Sequence, residues 1–186
     1  MPAAASRPHA RSLLLALAVA ACVLAAAAPA RAAGCAGAHT TRASASRLAH
    51  AVVCEINRVR AQHGLRRVRL NDALATAAQR YAKSMARRNF FSHVSPDGST
   101  LVDRLRRVGY ARPGRAWALG ECIGWGTSSL ATPAAMVRAW MHSPPHRAII
   151  LTGAYRNIGA GVAGGLPVRG VGGSGATYVA DFGVRH

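Results

Sequence analysis

The chain has 186 residues, and its 24 Lys and Arg against six Asp and Glu give a formal net charge of +18 at pH 7. Such a charge attracts anionic polymers and anionic headgroups. The sequence has neither a DNA-binding motif nor a series of aromatic residues for stacking on bases, which argues against nucleic acid as a partner. Nearly all basic residues are arginine, with Lys83 the only lysine, so part of the charge reflects a general compositional bias.

The first residues have the pattern of a secretory leader. Arg7 and Arg11 precede an uncharged run over 13–28, and the small residues of 30–32 provide a cleavage site. We therefore predict a signal peptide over 1–32 and a secreted protein. Because the run is short and rich in alanine, it is a poor membrane anchor. A minor alternative is a lipoprotein anchored at Cys22, which ends a stretch that resembles a lipoprotein cleavage site.

Cleavage after residue 32 leaves about 154 residues, enough for one domain with its own core. We expect a polar N-terminal arm over 33–43 and a single domain over 44–186. The secreted chain keeps Cys35, Cys54 and Cys122, an odd number, so at most one internal disulfide can form. A Cys35–Cys54 bond is favoured because it would attach the arm to the first helix, and Cys54–Cys122 is the alternative.

Hydrophobic periodicity and capping residues predict about four helices. Apolar residues recur at helical spacing before Gly64, Asn71 is a good N-cap, and Gly109 ends a shorter helix. Pro133 can open a further helix, because the first helical position needs no N–H donor. The predicted helices span about 44–63, 71–89, 100–108, and 132 to the Pro144-Pro145 pair.

The period changes from helical to alternating near the C-terminus. Residues 158–162 and 177–182 predict two strands of a hairpin, joined by a glycine-rich loop over 164–175. No Lys-Ser/Thr pair or following helix accompanies these glycines, which argues against a phosphate-binding loop. The fold class is therefore α/β.

Three residues could carry chemistry. His93 follows the second helix at a Pro-Asp-Gly turn, Glu121 is one of only six acids and has apolar neighbours, and His146 follows two prolines. A carboxylate in apolar surroundings needs a partner. His142 lies four residues before His146, but the intervening prolines argue against a helical zinc pair.

The order of these motifs resembles the CAP superfamily, which comprises cysteine-rich secretory proteins, antigen five and plant pathogenesis-related proteins, in its short bacterial secreted branch. The resemblance covers about residues 48–183. It rests on NRVR at 57–60, HVSPDG at 93–98, GY at 109–110, GE at 120–121, WMHSPPHR at 140–147, IGAGV at 158–162 and DFG at 181–183. It implies an α-β-α sandwich, with about four helices around a small antiparallel sheet.

The resemblance also implies that His93, Glu121 and His146 line one cleft, in which CAP domains often hold a metal. Three positions depart from the bacterial pattern: Cys122 replaces asparagine, Pro145 replaces glycine and Ile149 replaces asparagine. The second glutamate of eukaryotic members corresponds to Ser143 here, so only a triad remains.

Two imidazoles and one carboxylate could bind Zn²⁺ or another divalent metal weakly, with a position left for water. No other cofactor is expected.

Three functions are compatible with these residues. The first is a non-enzymatic extracellular recognition module with lipid, sterol or anionic cell-wall polymer as ligand, which would include peripheral contact with a membrane. The second is a hydrolase in which metal, or His93 with Glu121, activates water; His146 would then be the remaining catalytic residue. Neither Ser143, which lacks an elbow motif, nor Cys122, which lacks a positive neighbour, is a convincing nucleophile. The third is a cationic wall-associated structural protein with a vestigial cleft.

Overall fold

A four-stranded sheet lies between two layers of helices in the computed structural model, which describes residues 34–185. The predicted signal peptide and Cys22 lie outside the described residues. One layer contains α2 and α3, and the other contains α1, α4 and α5. The elements are α1 (Ala45–Gln62), β1 (Arg69–Leu70), α2 (Asp72–Arg88), α3 (Leu101–Arg107), β2 (Trp117–Thr127), a 3₁₀ turn (Ser128–Ala131), α4 (Pro133–His142), α5 (Pro144–Ile150), β3 (Asn157–Gly164) and β4 (Gly175–Arg185).

The helix termini follow from local chemistry. The side chain of Asn71 accepts a hydrogen bond from Leu74 N at 3.2 Å, which confirms it as the N-cap of α2. Thr100 and Asp103 form a reciprocal capping box at the start of α3. Gly64 has a φ of 68°, a left-handed conformation that glycine adopts without strain just past the end of α1.

Residues 34–185 contain five α-helices where the sequence predicts about four. The sequence pattern marks Pro144 and Pro145 as the end of α4, but they also begin α5. Both facts have one cause, since a proline cannot continue a preceding helix and yet is tolerated in the first turn of a new one. This second role places His146 on a helix rather than in a loop.

The sheet has the strand order β1-β3-β4-β2, so β2 is an edge strand. The predicted hairpin of β3 and β4 is confirmed, and β4 also pairs antiparallel with β2. The sheet is not wholly antiparallel, because the two-residue β1 pairs parallel with β3. Strand β2 was not predicted, since its central residues are buried on both faces and show no alternation of polar and apolar side chains.

Alternate residues of the strands face the two helical layers. Tyr178 and Phe182 on β4 pack towards α1 and α4, whereas Val179 packs towards α2. Gly159 and Gly161 on β3 lie under α2, and a Cβ at either position would collide with the α2 backbone. These two glycines therefore allow α2 to lie close to the sheet.

The NRVR motif of α1 has a structural role. Asn57 exchanges two hydrogen bonds with the backbone of Val68, at 3.0 and 2.8 Å. Arg60 is fully buried, and its NH1 donates to the carbonyls of Ile150 and Thr152 at 2.7 and 3.0 Å. Burial lowers the pKa of Arg60, and the neighbouring Arg156 lowers it further. The motif thus joins the end of α1 to β1 and to the C-terminal end of α5.

The predicted disulfide between Cys35 and Cys54 is present. It attaches the N-terminal segment to α1, and Ala38, which is 1% exposed, also accepts a hydrogen bond from Ala134 N at 2.9 Å near the start of α4. The described part of the arm, 34–43, is therefore held against two helices. Cys122 is a free, buried thiol.

Candidate functional site

His93 and Glu121 meet at the edge strand β2. His93 lies beyond the left-handed Asn89 that ends α2, while Glu121 lies on β2. His93 Nδ1 is 2.7 Å from Glu121 Oε1, and the side chains are 55% and 3% exposed. Because a carboxylate only accepts hydrogen bonds, the imidazole proton is on Nδ1, and the Nε2 of neutral His93 carries a free lone pair.

Arg104 holds the other oxygen of Glu121. Its NH2 donates to Oε2 at 2.7 Å, and its NH1 donates to the carbonyls of His93 and Ser99, both at 3.1 Å. The guanidinium carbon lies 3.4 Å from the centroid of the Tyr81 ring, a cation–π contact. Arg104 therefore fixes the Glu121 carboxylate and the His93 backbone together, a role that was not predicted from sequence.

A second buried carboxyl, Asp181, lies beside Glu121. The two residues are paired across β2 and β4, and Asp181 is completely buried. Neither oxygen of its carboxyl group has a hydrogen-bond partner among residues 34–185. Burial first, and then the negative charge of Glu121, raise the pKa of Asp181 well above its ordinary value. Burial and the neighbouring carboxylate therefore favour the neutral carboxylic acid form of Asp181 in the folded chain.

We expect Asp181→Asn to raise the free energy of unfolding at neutral pH, because the wild type must keep a proton on a buried acid that is ionised in the unfolded chain, whereas an amide is neutral in both states. The pKa of Asp181 in the folded chain exceeds its unfolded value of 3.8. The free energy of unfolding of the wild type therefore falls as the pH rises from 3.8 to the folded-state pKa. An amide carries no such penalty, so the advantage of the variant should disappear below pH 3.8. Urea unfolding at a series of pH values measures the difference in free energy of unfolding between variant and wild type. The exposed Asp72→Asn is the control. Equal pH profiles for Asp181→Asn and wild type would contradict the prediction.

His146 approaches the same edge strand from α5. Its Nδ1 is 2.8 Å from the Ser143 hydroxyl, and its backbone carbonyl lies 3.9 Å from the Cys122 sulfur. Partial burial lowers the pKa of His146, and the nearby His93 lowers it further. His146 is therefore neutral at physiological pH and lies within electrostatic range of His93. His142 does not join them, because it is exposed and its Nδ1 bonds to the backbone of its own helix.

The Cys122 thiol is poorly suited to be a nucleophile. Burial raises its pKa, and the negative charge of Glu121 raises it further. This agrees with the prediction of an inert cysteine, because the thiolate does not form at physiological pH.

Most polar side-chain atoms of the site already have hydrogen-bond partners. Both oxygens of Glu121 accept hydrogen bonds, from His93 and Arg104, and the Nδ1 atoms of His93 and His146 also have partners. Nε2 is left on each imidazole. No three His, Cys, Asp or Glu side chains within residues 34–185 are grouped closely enough to hold a metal ion. Metal binding by His93, Glu121 and His146 therefore stays a prediction.

Solved structures share this fold. An outer surface protein of Borrelia burgdorferi has a TM-score of 0.59 and 20% identity, with 73% of this chain and 90% of that chain covered. An extracellular protein with an SCP domain from Bacillus anthracis has a TM-score of 0.58 and 23% identity, with 77% and 44% covered. A cysteine-rich secretory protein of Staphylococcus aureus has a TM-score of 0.52 and 18% identity, with 75% and 39% covered. These likenesses support the α-β-α sandwich.

Two Bacillus subtilis proteins share sequence with part of the chain. YkwD, described as uncharacterized, is 30% identical over 105 residues, which are 56% of this chain and 38% of YkwD. YlbC, described as an uncharacterized membrane protein, is 32% identical over 108 residues, which are 57% of this chain and 29% of YlbC. The chain thus spans well under half of either relative. Within residues 34–185, no helix has the length and hydropathy that a membrane span requires.

A family model covers most of the folded region. The model for CAP, the cysteine-rich secretory protein family, matches residues 53–177, which include β2 and the segments that carry His93 and His146. Together with the order of the motifs and the sandwich fold, this match shows that the chain belongs to the CAP family of cysteine-rich secretory proteins.

Proposed function

We propose that the chain is a secreted, non-enzymatic recognition module whose cleft binds a divalent metal ion through the Nε2 atoms of His93 and His146. The observation that carries the proposal is the state of the two imidazoles. The Nδ1 atom of His93 donates to Glu121, and the Ser143 hydroxyl can accept the Nδ1 proton of His146, in which case Nε2 is the available metal donor of both imidazoles. Such partners orient metal-binding histidines in proteins and raise their basicity.

The environment of Glu121 supports a positioning role for this residue. Arg104 and His93 occupy one oxygen each, so the carboxylate can act as the partner of His93 without contacting the ion. With two histidines as protein ligands, the remaining positions of a zinc ion would be open to water or to a ligand oxygen. An open metal position on a basic surface suits recognition of an anionic lipid headgroup or cell-wall polymer.

Secretion is part of the proposal. The leader pattern over 1–32 supports it, and the similar solved structures are of proteins described as extracellular, secretory or outer-surface. The disulfide between Cys35 and Cys54 is in keeping with an oxidising compartment.

Calorimetric titration with Zn²⁺ at about pH 7 tests the cleft. We expect His93→Ala and His146→Ala each to remove most of the affinity, and Glu121→Gln to weaken binding roughly 10–100-fold, as loss of an orienting partner does. Binding should weaken at about pH 5, because protons compete for the imidazoles. The lowered pKa of His146 means that this residue resists protonation as the pH falls.

His142→Ala is the matched control, since it removes an exposed histidine four residues from His146. Its affinity should equal that of the wild type. Full affinity in either His93→Ala or His146→Ala would place the ion elsewhere and refute the proposed cleft.

A hydrolase is the second candidate, and one distance favours it. The hydroxyl of Ser143 lies 2.8 Å from His146 Nδ1, within the range at which a histidine can accept the proton of a nucleophile. An ester-hydrolysis assay on wild type and Ser143→Ala, with and without chelator, separates the two functions. Turnover that is lost in Ser143→Ala and unaffected by chelation would support the hydrolase; no turnover in either protein supports the recognition module.

A further inference from the structure

A basic cavity of about 180 Å³ is lined by residues of α2, α3 and the segment that follows His93. Arg80, Ser84 and Arg88 line it from α2. Because these residues are four apart in sequence, they lie on one face of the helix. Arg107 lines the cavity from the end of α3, beside Arg104. Two helices therefore direct cationic side chains into one concave space.

The positive charge in this cavity is not balanced. Arg104 is paired with Glu121, but Arg80, Arg88 and Arg107 form no ion pair with any residue in 34–185. Asp97 is the only acidic residue that lines the cavity. It can offset one of these three charges at most, so two remain.

Arg104 gives the cavity a rigid boundary. Its side chain is 8% exposed, held by Glu121, by two backbone carbonyls and by the face of Tyr81. The Nε atom of Arg104 is buried and has no hydrogen-bond partner among the described residues. A buried cationic group with an unused donor favours an anion beside it.

We propose that this cavity binds a phosphate group. The volume is below the ~300–1,000 Å³ of pockets that take drug-sized ligands, so a single small anionic group suits it better than a whole lipid. Arginine side chains can each offer two N–H donors to phosphate oxygens, and the Ser84 hydroxyl adds a further donor. A free phosphate ion and the headgroup of an anionic phospholipid share this chemistry. The cavity shares Arg104 with the surroundings of Glu121, but none of the proposed metal-binding residues lines it, and the proposal does not rest on metal binding.

Titration with inorganic phosphate, monitored by NMR in the presence of EDTA, tests the site without metal. In wild type, amide resonances of α2 and α3 around the cavity should shift in a saturable manner. A triple variant with Arg80→Gln, Arg88→Gln and Arg107→Gln should bind at least roughly tenfold more weakly, because it loses charge-assisted hydrogen bonds. The three side chains are exposed, so the variant should fold normally.

The matched control carries Arg66→Gln, Arg67→Gln and Arg69→Gln, three exposed arginines that do not line the cavity. Both triple variants lose the same net charge, so long-range attraction falls equally in the two proteins. The proposal requires that only the cavity variant loses affinity. Equal losses would reveal general electrostatic attraction, and the absence of saturable shifts in wild type would reveal no site; either result would overturn the proposal.

Vesicles distinguish the sources of the phosphate. If the natural ligand is a headgroup, the protein should sediment with phosphatidylglycerol vesicles and not with phosphatidylcholine vesicles. The cavity variant should then lose this binding while the control variant keeps it. Saturable binding of inorganic phosphate without vesicle binding would assign the site to a soluble phosphate compound.

Discussion

Replacing Arg104 with methionine is expected to lower the free energy of unfolding by about 3–5 kcal/mol, the cost of removing one partner of a buried ion pair. Glu121 would lose the only guanidinium contact that it makes within residues 34–185 while remaining 5% exposed, with Asp181 beside it. The His93 carbonyl would also lose a hydrogen-bond donor. Methionine preserves much of the side-chain volume, so the loss reports on charge and hydrogen bonds. Urea unfolding at pH 7 measures it.

Arg106→Met is the control on the same helix. Arg106 is exposed, so its replacement should change the free energy of unfolding by no more than about 0.5 kcal/mol. Adding Glu121→Gln to Arg104→Met should recover part of the loss, because the uncompensated carboxylate is then absent. A loss in Arg104→Met no larger than in Arg106→Met would mean that the ion pair does not stabilise the fold.

Removing the disulfide with Cys35→Ser and Cys54→Ser should cost about 3 kcal/mol of unfolding free energy. The bond closes a loop with a sequence separation of 19, and closure of a loop this size restricts the unfolded chain by that amount. The effect should appear as a lower Tm. In the folded state, the variant keeps the hydrogen bond from Ala134 N to Ala38 O as an attachment of the arm.

A reducing agent provides the control for this prediction. It should lower the Tm of wild type towards that of the double variant and leave the variant unchanged, since the only other cysteine in residues 34–185 is the buried thiol of Cys122. Equal stability of wild type and double variant under oxidising conditions would contradict the loop-closure argument.

The helices were predictable because their signals are local. Asn71 and Gly64 act within one helical turn, and each does in the structure what its side chain or conformational freedom dictates. Strand β2 was not predictable in this way. It is covered on both faces, and Gly120, Gly124 and Gly126 make room for neighbouring atoms rather than mark a turn. Only the tertiary packing explains those glycines.

The family resemblance named His93, Glu121 and His146 as site residues. In the structure, His93 and Glu121 are hydrogen-bonded and His146 lies within electrostatic range of His93, while a site shared by all three residues stays a prediction. Arg104 and Asp181 were missed, because long-range pairing places both against Glu121. One signal was available for Asp181: an acid within an apolar strand, in a chain with six acids, needs a reason to be buried.

The two glycines under α2 bear on the contact between His93 and Glu121. His93 lies just beyond the C-terminal end of α2, whereas Glu121 belongs to the sheet, so the height of the helix above the sheet determines how far apart the two residues are. Their 2.7 Å hydrogen bond tolerates a change of only a few tenths of an ångström. A methyl group at Gly159 or Gly161 would push α2 away from the sheet, although these glycines are on β3, two strands away from β2. Substitutions on β3 can therefore alter the hydrogen bond between His93 and Glu121 without contacting either residue.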